Sequence, residues 1–241
     1  MKKILLCILV FFAAGYFVVM ETETGQDLFL DRLLSVMTQN QQTAPVDGLD
    51  VYICGASSPL STTGNAQSCV FIIAGDRSFV VDTGPGSPRV IRRLGLPLNN
   101  LEAVLLTHFH GDHISALGDV NFNSWVAGRG KKLTVMGPEG VDLVVNGFNQ
   151  AYSLDSSYRT RHHGWDILPL EYSVMQSKTI EAGLVFEEDG LSIRAFRVDH
   201  SPIEPAVGYR FDYKGRSVAV SGDSIVTKDY REAVDGVDLL L

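Results

Sequence analysis

The stretch Ala103-Val104-Leu105-Leu106-Thr107-His108-Phe109-His110-Gly111-Asp112-His113 decides how this chain is read. A short apolar run, Ala103 to Thr107, has the look of a buried strand, and its end delivers four potential metal ligands in six positions. Side chains alternate along an extended backbone, so His108 and His110 point to the same side. A turn at Gly111 can swing Asp112 and His113 toward a second point a few ångströms away. One segment can thus feed two cations. Imidazole nitrogen with carboxylate oxygen is the ligand set of catalytic zinc, and two such ions about 3.5–4 Å apart form a clamp for hydrolysis. A surface turn that is merely rich in histidine is the plainer reading. It fits less well, because H-x-H-x-D-H at a strand end is far more specific than a lone H-E-x-x-H match.

Outward from this point, strands and helices alternate. Strands are predicted at Val51 to Cys54, Cys69 to Ala74, Phe79 to Val81, Ala103 to Thr107 and Lys132 to Val135, with helices at Arg89 to Leu94, starting over His113 to Val120, and at Val141 to Tyr152. Further strands follow at Leu184 to Glu187, Leu191 to Val198, Val207 to Tyr213 and Ser217 to Ser221. The tight turn Lys214-Gly215 joins the last two. The fold class is therefore α/β. Between them, Ser153 to Ile180 has no clear period and reads as an irregular insertion near the site, carrying Tyr158, His162, His163 and Trp165.

The chain has 241 residues, 45% apolar and 20% charged, which excludes disorder and fibre. Its 20 basic against 28 acidic side chains give a net charge of -8, the wrong sign for gathering phosphate backbones over a broad surface. Three cysteines, none spaced C-x-x-C, leave metal binding to histidine and carboxylate. At the start, Lys2 and Lys3 precede an uncharged apolar run from Ile4 to Met20, which reads as an export signal or a signal anchor over residues 1–20. Without those lysines the balance is 18 against 28, or -10. Residues 21–48 read as an amphipathic helix (Asp27 to Met37) and a polar linker (Gln39 to Gly48), and the working domain as residues 49–241.

Three further stretches join the histidine motif in a family resemblance. Val198-Asp199-His200 with Val207-Gly208-Tyr209-Arg210, Ser221-Gly222-Asp223, and Val81-Asp82-Thr83-Gly84 together resemble the metallo-β-lactamase fold superfamily, in the branch of ribonuclease Z and the zinc arylsulfatases. The resemblance covers roughly residues 50 to 241 and implies an αββα sandwich. It implies that His108, His110 and His200 hold one zinc, that Asp112 and His113 hold the other, and that Asp223 bridges them. Asp82 then supports the ligand loop without binding metal. Taken alone, His200 reads equally as a hydrogen-bonded core histidine and Asp223 as an ordinary turn carboxylate; their contexts favour the ligand reading. Two cations would lower the pKa of a shared water, and Asp112 is the candidate catalytic residue to orient or deprotonate it.

The chain departs from that family in two ways. It stops at Val237-Asp238-Leu239-Leu240-Leu241, where the relatives continue into a His-Glu-Ala segment and a last histidine ligand, so an incomplete second half and a fragment are expected. Only eleven residues separate Arg210 from Gly222, enough for a hairpin but not for the long arm with which ribonuclease Z grips transfer RNA. His162, His163, Trp165 and Tyr158 are candidates for substrate contact or for plain surface. Cys54 and Cys69 could pair in an oxidising compartment, and Cys7 lies inert in the apolar segment.

The expected function is that of an exported two-zinc hydrolase acting on a small phosphodiester or sulfate ester. A ribonuclease Z type transfer RNA nuclease and a non-catalytic metal-binding scaffold are the alternatives. The small ester is the expected partner, nucleic acid is disfavoured, the membrane enters only through the first segment, and a homodimer is left open. A β-lactamase is disfavoured, since no cysteine follows a motif position.

Overall fold

The run Cys69-Val70-Phe71-Ile72-Ile73-Ala74 has no polar side to give to water, and the fold buries both of its faces. In the computed structural model, residues 15–17, 21–29, 32, 47–60 and 64–241 are described. Strand β2 (Cys69–Ala74) sends Val70, Ile72 and Ala74 into one apolar core and Cys69, Phe71 and Ile73 into another. Strands β3 (Arg77–Val81) and β4 (Leu101–Leu105) divide their side chains in the same way. Strands covered on both faces lose the polar alternation of a half-exposed sheet.

These three lie inside a six-stranded sheet of order β1-β2-β3-β4-β5-β6, completed by β1 (Leu49–Gly55), β5 (Leu133–Gly137) and β6 (Met175–Thr179). The pairs β1/β2 and β2/β3 are antiparallel and the other three are parallel. Parallel neighbours need crossovers, and helices supply most of them. The helices are α1 (Ser87–Arg93), the short α2 (Gly111–Ile114), α3 (Leu117–Val126) and α4 (Val141–His163). Ile91, Leu117, Val120, Val141 and Val145 from them close the outer core.

The second sheet has the order β11-β10-β9-β8-β7, from β7 (Gly183–Glu188), β8 (Leu191–Arg197), β9 (Val207–Tyr213), β10 (Arg216–Val220) and β11 (Leu239–Leu240). Its inner face meets the first sheet in a core where Phe79 touches Phe186 and Phe211 edge to face, at 5.4 and 5.8 Å between ring centroids. The fully buried rings of Phe79 and Phe211 each stabilise the fold by about 1.5–3 kcal/mol. Helix α5 (Lys228–Ala233) covers the outer face through Tyr230 against Phe196. The layers run helix, sheet, sheet, helix, as the resemblance implies.

The chain divides into two compact units, Met1–Thr43 and Ala44–Leu241. Of the helix expected over Asp27 to Met37, residues 27–29 and 32 are described and are helical. The rest of it, most of the apolar segment and residues 39–46 lie outside the described residues. Among the described residues, no helix is long and apolar enough to cross a membrane.

The structure corrects two readings within the second unit. The expected insertion is not irregular at its start: α4 continues from Tyr152 through His163 before Gly164 ends it at φ 97°. Ser156 and Thr160 occupy the buried side of that extension, where small hydroxyls hide the apolar period. The Thr160 hydroxyl donates to the Leu168 carbonyl at 2.8 Å, and Arg159 pairs with Asp155 one turn back. Strand β6 also falls inside the supposed insertion; it is an exposed edge strand, Met-Gln-Ser-Lys-Thr, with almost no apolar signal. The helix expected from His113 to Val120 is instead two, α2 and α3, broken at Ser115-Ala116. Cys54 and Cys69 are joined as a disulfide across β1 and β2, both side chains buried.

Candidate metal centre

Strand β4 ends at Leu105, and the next eight residues stay close to its carboxyl end. The Leu106 N–H donates to the Met136 carbonyl, and the Leu106 carbonyl accepts from the Tyr209 hydroxyl at 2.7 Å. Tyr209 is fully buried, and burial pushes its hydroxyl well above the usual range, so it remains a donor. The Thr107 carbonyl accepts from the Val207 N–H at 3.0 Å, which fastens the ligand strand to the second sheet. His108 and His110 then project on the same side, as the alternation predicts.

Three imidazoles converge there. His108 Nε2 lies 3.0 Å from His110 Nδ1, and His200 Nε2 lies 3.4 Å from the same atom. These three and Asp223 offer ligand atoms all within 4.8 Å of one another. Nitrogens bound tetrahedrally at about 2.0–2.1 Å from one ion stand about 3.3 Å apart, so the donor spacing suits a metal ion. Asp112 and His113 gather next to this group: His113 Nε2 lies 3.6 Å from Asp112 Oδ2 and 3.4 Å from Asp223 Oδ1. The other oxygen of Asp223, Oδ2, is 4.0 Å from His200 Nε2. Asp223 therefore turns one oxygen to each group, between the two sets of ligands that the resemblance implies.

Asp82 sets the ring orientations from below. Its Oδ2 accepts from His113 Nδ1 at 2.7 Å and from the Thr107 hydroxyl at 2.9 Å, and its Oδ1 accepts from the Thr107 N–H at 2.9 Å. With its only proton given to Asp82, the Thr107 hydroxyl must accept from His108 Nδ1, 3.1 Å away. In their neutral forms both rings are thereby fixed with Nε2 bare and facing the cluster. Burial, with the neighbouring His113 and His200, pushes the His108 imidazole down to about 4 against the pull of Asp82 and Asp223, so at neutral pH it is an uncharged donor. Burial pushes His113 the same way, but the bond to Asp82 and the charges of Asp82, Asp223 and Asp112 outweigh it and leave its pKa raised.

Two glycines permit these approaches. Gly222 has φ 63°, and a Cβ on it would lie 2.8 Å from Thr107 Cβ, so only glycine lets the Ser221-Gly222-Asp223 turn reach the ligand strand. A Cβ on Gly84 would lie 2.3 Å from the Asp112 carbonyl oxygen. The His200 loop is tied to the segment after Asp223 by the Ile225 N–H donating to the Asp199 carbonyl at 2.9 Å.

All six predicted ligands thus lie together. His162, His163, Trp165 and Tyr158 do not join them: His162 and His163 meet edge to face in the last turn of α4, exposed, and Trp165 and Tyr158 are also exposed. Sequence reading missed the role of Thr107. A hydroxyl residue immediately before the first candidate ligand does not by itself tell what the hydroxyl does.

A helix, sheet, sheet, helix sandwich carrying a His/Asp cluster at the strand ends is the architecture of a metallo-hydrolase. The model of the metallo-beta-lactamase superfamily matches residues 62–233, and the chain belongs to that superfamily. A ribonuclease Z of Mycobacterium bovis (strain BCG / Pasteur 1173P2) is 34% identical over 196 residues, covering 80% of this chain and 69% of its own length. One from Mycolicibacterium gilvum is 32% identical over 196 residues, 80% of this chain and 68% of its own. Among solved structures, the short form of human tRNase Z superposes with a TM-score of 0.59 at 20% identity, over 79% of this chain and 76% of that one. The metallo-beta-lactamase fold protein YhfI of Bacillus subtilis has the same score at 18% identity, over 81% and 70%. These two share the fold.

Proposed function

We propose that the chain hydrolyses phosphodiester bonds at a two-zinc centre of the ribonuclease Z type. The observation that carries this reading is the 34% identity, over 80% of the chain, to a protein named ribonuclease Z. It favours the nuclease over a general small-ester hydrolase. In this reading His108, His110 and His200 hold one ion, Asp112 and His113 the other, and Asp223 reaches both. When bound, the ions would supply Lewis acidity toward the phosphoryl oxygens and lower the pKa of a water.

The remaining work falls to the chain's own residues. Asp112 orients the attacking water and takes its proton. Asp82, through Thr107 and His113, keeps two imidazoles in the tautomer that leaves Nε2 bare. A small phosphodiester is the second reading, favoured by the turn at Lys214-Gly215 that joins β9 directly to β10, where ribonuclease Z inserts its RNA-gripping arm, and by the net charge of -8. The buried Cys54–Cys69 disulfide supports an oxidising compartment, in keeping with the export reading.

The test is hydrolysis of precursor transfer RNA and of an aryl phosphodiester by zinc-loaded protein, with and without chelator. Turnover of either that chelator abolishes and zinc restores is expected. Turnover indifferent to chelator refutes the metal chemistry, and turnover of sulfate esters alone refutes the phosphodiester.

A further inference from the structure

At the carboxyl ends of β5 and β6 the fold leaves a cavity of about 690 Å³. It is linked to the ligand strand at two places. One wall, at Pro138 and Glu139, leads into Gly140, where a Cβ would lie 3.2 Å from the ring of Phe109, the residue between His108 and His110. The other wall is the paired Arg197 and Val207, and the Val207 N–H donates to the carbonyl of Thr107. Two backbone steps of about 4.8 Å each put Arg197 on the order of 10 Å from the ligand strand. In open α/β sheets the carboxyl ends of neighbouring parallel strands form one continuous edge for ligands. The volume is that of a small-molecule site, roughly 300–1,000 Å³.

The lining has a definite chemistry. Ile180 and Val207 give it a buried apolar floor, and Glu139, Glu181 and Glu204 stand around it against the single cation Arg197. All four are exposed, and among the described residues none is held in a salt bridge, so the rim carries three unpaired carboxylates and one unpaired guanidinium. An RNA strand, with a negative charge at every phosphate, is repelled from such a cavity. An apolar alcohol carrying a positive charge is drawn to it.

We propose that this cavity receives one alcohol arm of the phosphodiester and that Glu139, Glu181 and Glu204 select a cationic arm over an anionic one. The proposal rests on the hydrolytic reading of the centre and deepens its second substrate reading, the small diester. Three p-nitrophenyl phosphodiesters test it, with choline, its uncharged isostere 3,3-dimethylbutanol, or glycolate as the second alcohol. With zinc-loaded protein, kcat/KM for the choline diester is expected to exceed that for the glycolate diester by about tenfold, the range that uncompensated nearby charges produce. In the combined Glu139→Gln, Glu181→Gln, Glu204→Gln variant the ratio falls toward one.

A second measurement is independent of turnover. Choline titrated into the protein should shift the methyl resonances of Ile180 and Val207, and glycolate should not. A glycolate diester used as well as the choline diester, a ratio unchanged in the triple variant, or choline shifts confined to other methyls overturns the proposal. Failure to hydrolyse any diester counts against the hydrolytic reading, and the choline titration then still decides the cavity.

Discussion

Replacing Asp82 by asparagine separates the carboxylate's role in holding the fold from its role in preparing ligands. Asp82 sits at φ 57°, a conformation asparagine adopts readily, so the substitution leaves the backbone unstrained where alanine would not. The asparagine oxygen can keep the Thr107 N–H now bound at 2.9 Å. The NH2 at the other position faces the Thr107 hydroxyl and His113 Nδ1, both of which now donate to a carboxylate oxygen. Hydrogen bonds to a charged acceptor are worth about 1.5–3 kcal/mol each, and rotation of the hydroxyl recovers part of the loss, so a net loss of about 3 kcal/mol is expected. His113 can answer the NH2 only by moving its proton to Nε2, the atom 3.4 Å from Asp223 and 3.6 Å from Asp112. That proton blocks the ligand position, and loss of such a supporting partner weakens metal binding by about 10–100-fold. Urea unfolding of chelated protein reads the stability, and metal retained on dialysis against graded chelator reads the affinity. A D82N protein that loses stability yet holds metal like its parent would falsify the tautomer argument.

Further outcomes follow from single features. Arg129 is buried with only neutral acceptors around it, Asn121 Oδ1, Ser124 Oγ and the carbonyls of Lys131 and Tyr172. R129M strands those acceptors and should lower the urea-unfolding free energy by about 3 kcal/mol; a loss under about 1 kcal/mol refutes this account. The Cys54–Cys69 bridge closes a 15-residue separation. Replacing both cysteines by serine should cost about 3 kcal/mol in the same measurement, and an unchanged midpoint would show that the bridge does not constrain the chain. In chelated protein His108 should stay neutral down to about pH 4. The unfolded chain takes up that proton from its ordinary value of 6.5 downward while the folded chain does not, so this group's contribution is intact above 6.5 and lost as pH falls through about 4. His113, raised above 6.5, has the opposite sign: its contribution is intact below 6.5 and lost as pH rises through its folded value. Imidazole nitrogen shifts followed by NMR check the order, and His108 titrating above His113 would refute it.

The parts of this molecule that were legible in its sequence are those where one residue type has one physical use. The apolar runs of β2, β3 and β4 read as strands, and that of β4 as a buried one. The H-x-H-x-D-H spacing was legible as a cluster of side chains, because alternation and one glycine turn fix where four of them go. The second half of α4 was not legible. Its buried side uses Ser156 and Thr160, and a hydroxyl that caps a carbonyl eight residues on leaves no mark in a hydrophobic period. Strand β6 hid for the opposite reason, since an edge strand open to solvent has no need of apolar residues. Thr107 is the instructive case. A threonine ending an apolar strand carries no message by itself, and its use appears only when Asp82, twenty-five residues earlier, is seen to take its proton. The same carboxylate takes a proton from His113. The candidate ligands of the H-x-H-x-D-H motif can be read along the chain. Ligand tautomer is set by a residue brought in from another strand, so it becomes readable only after the sheet has formed.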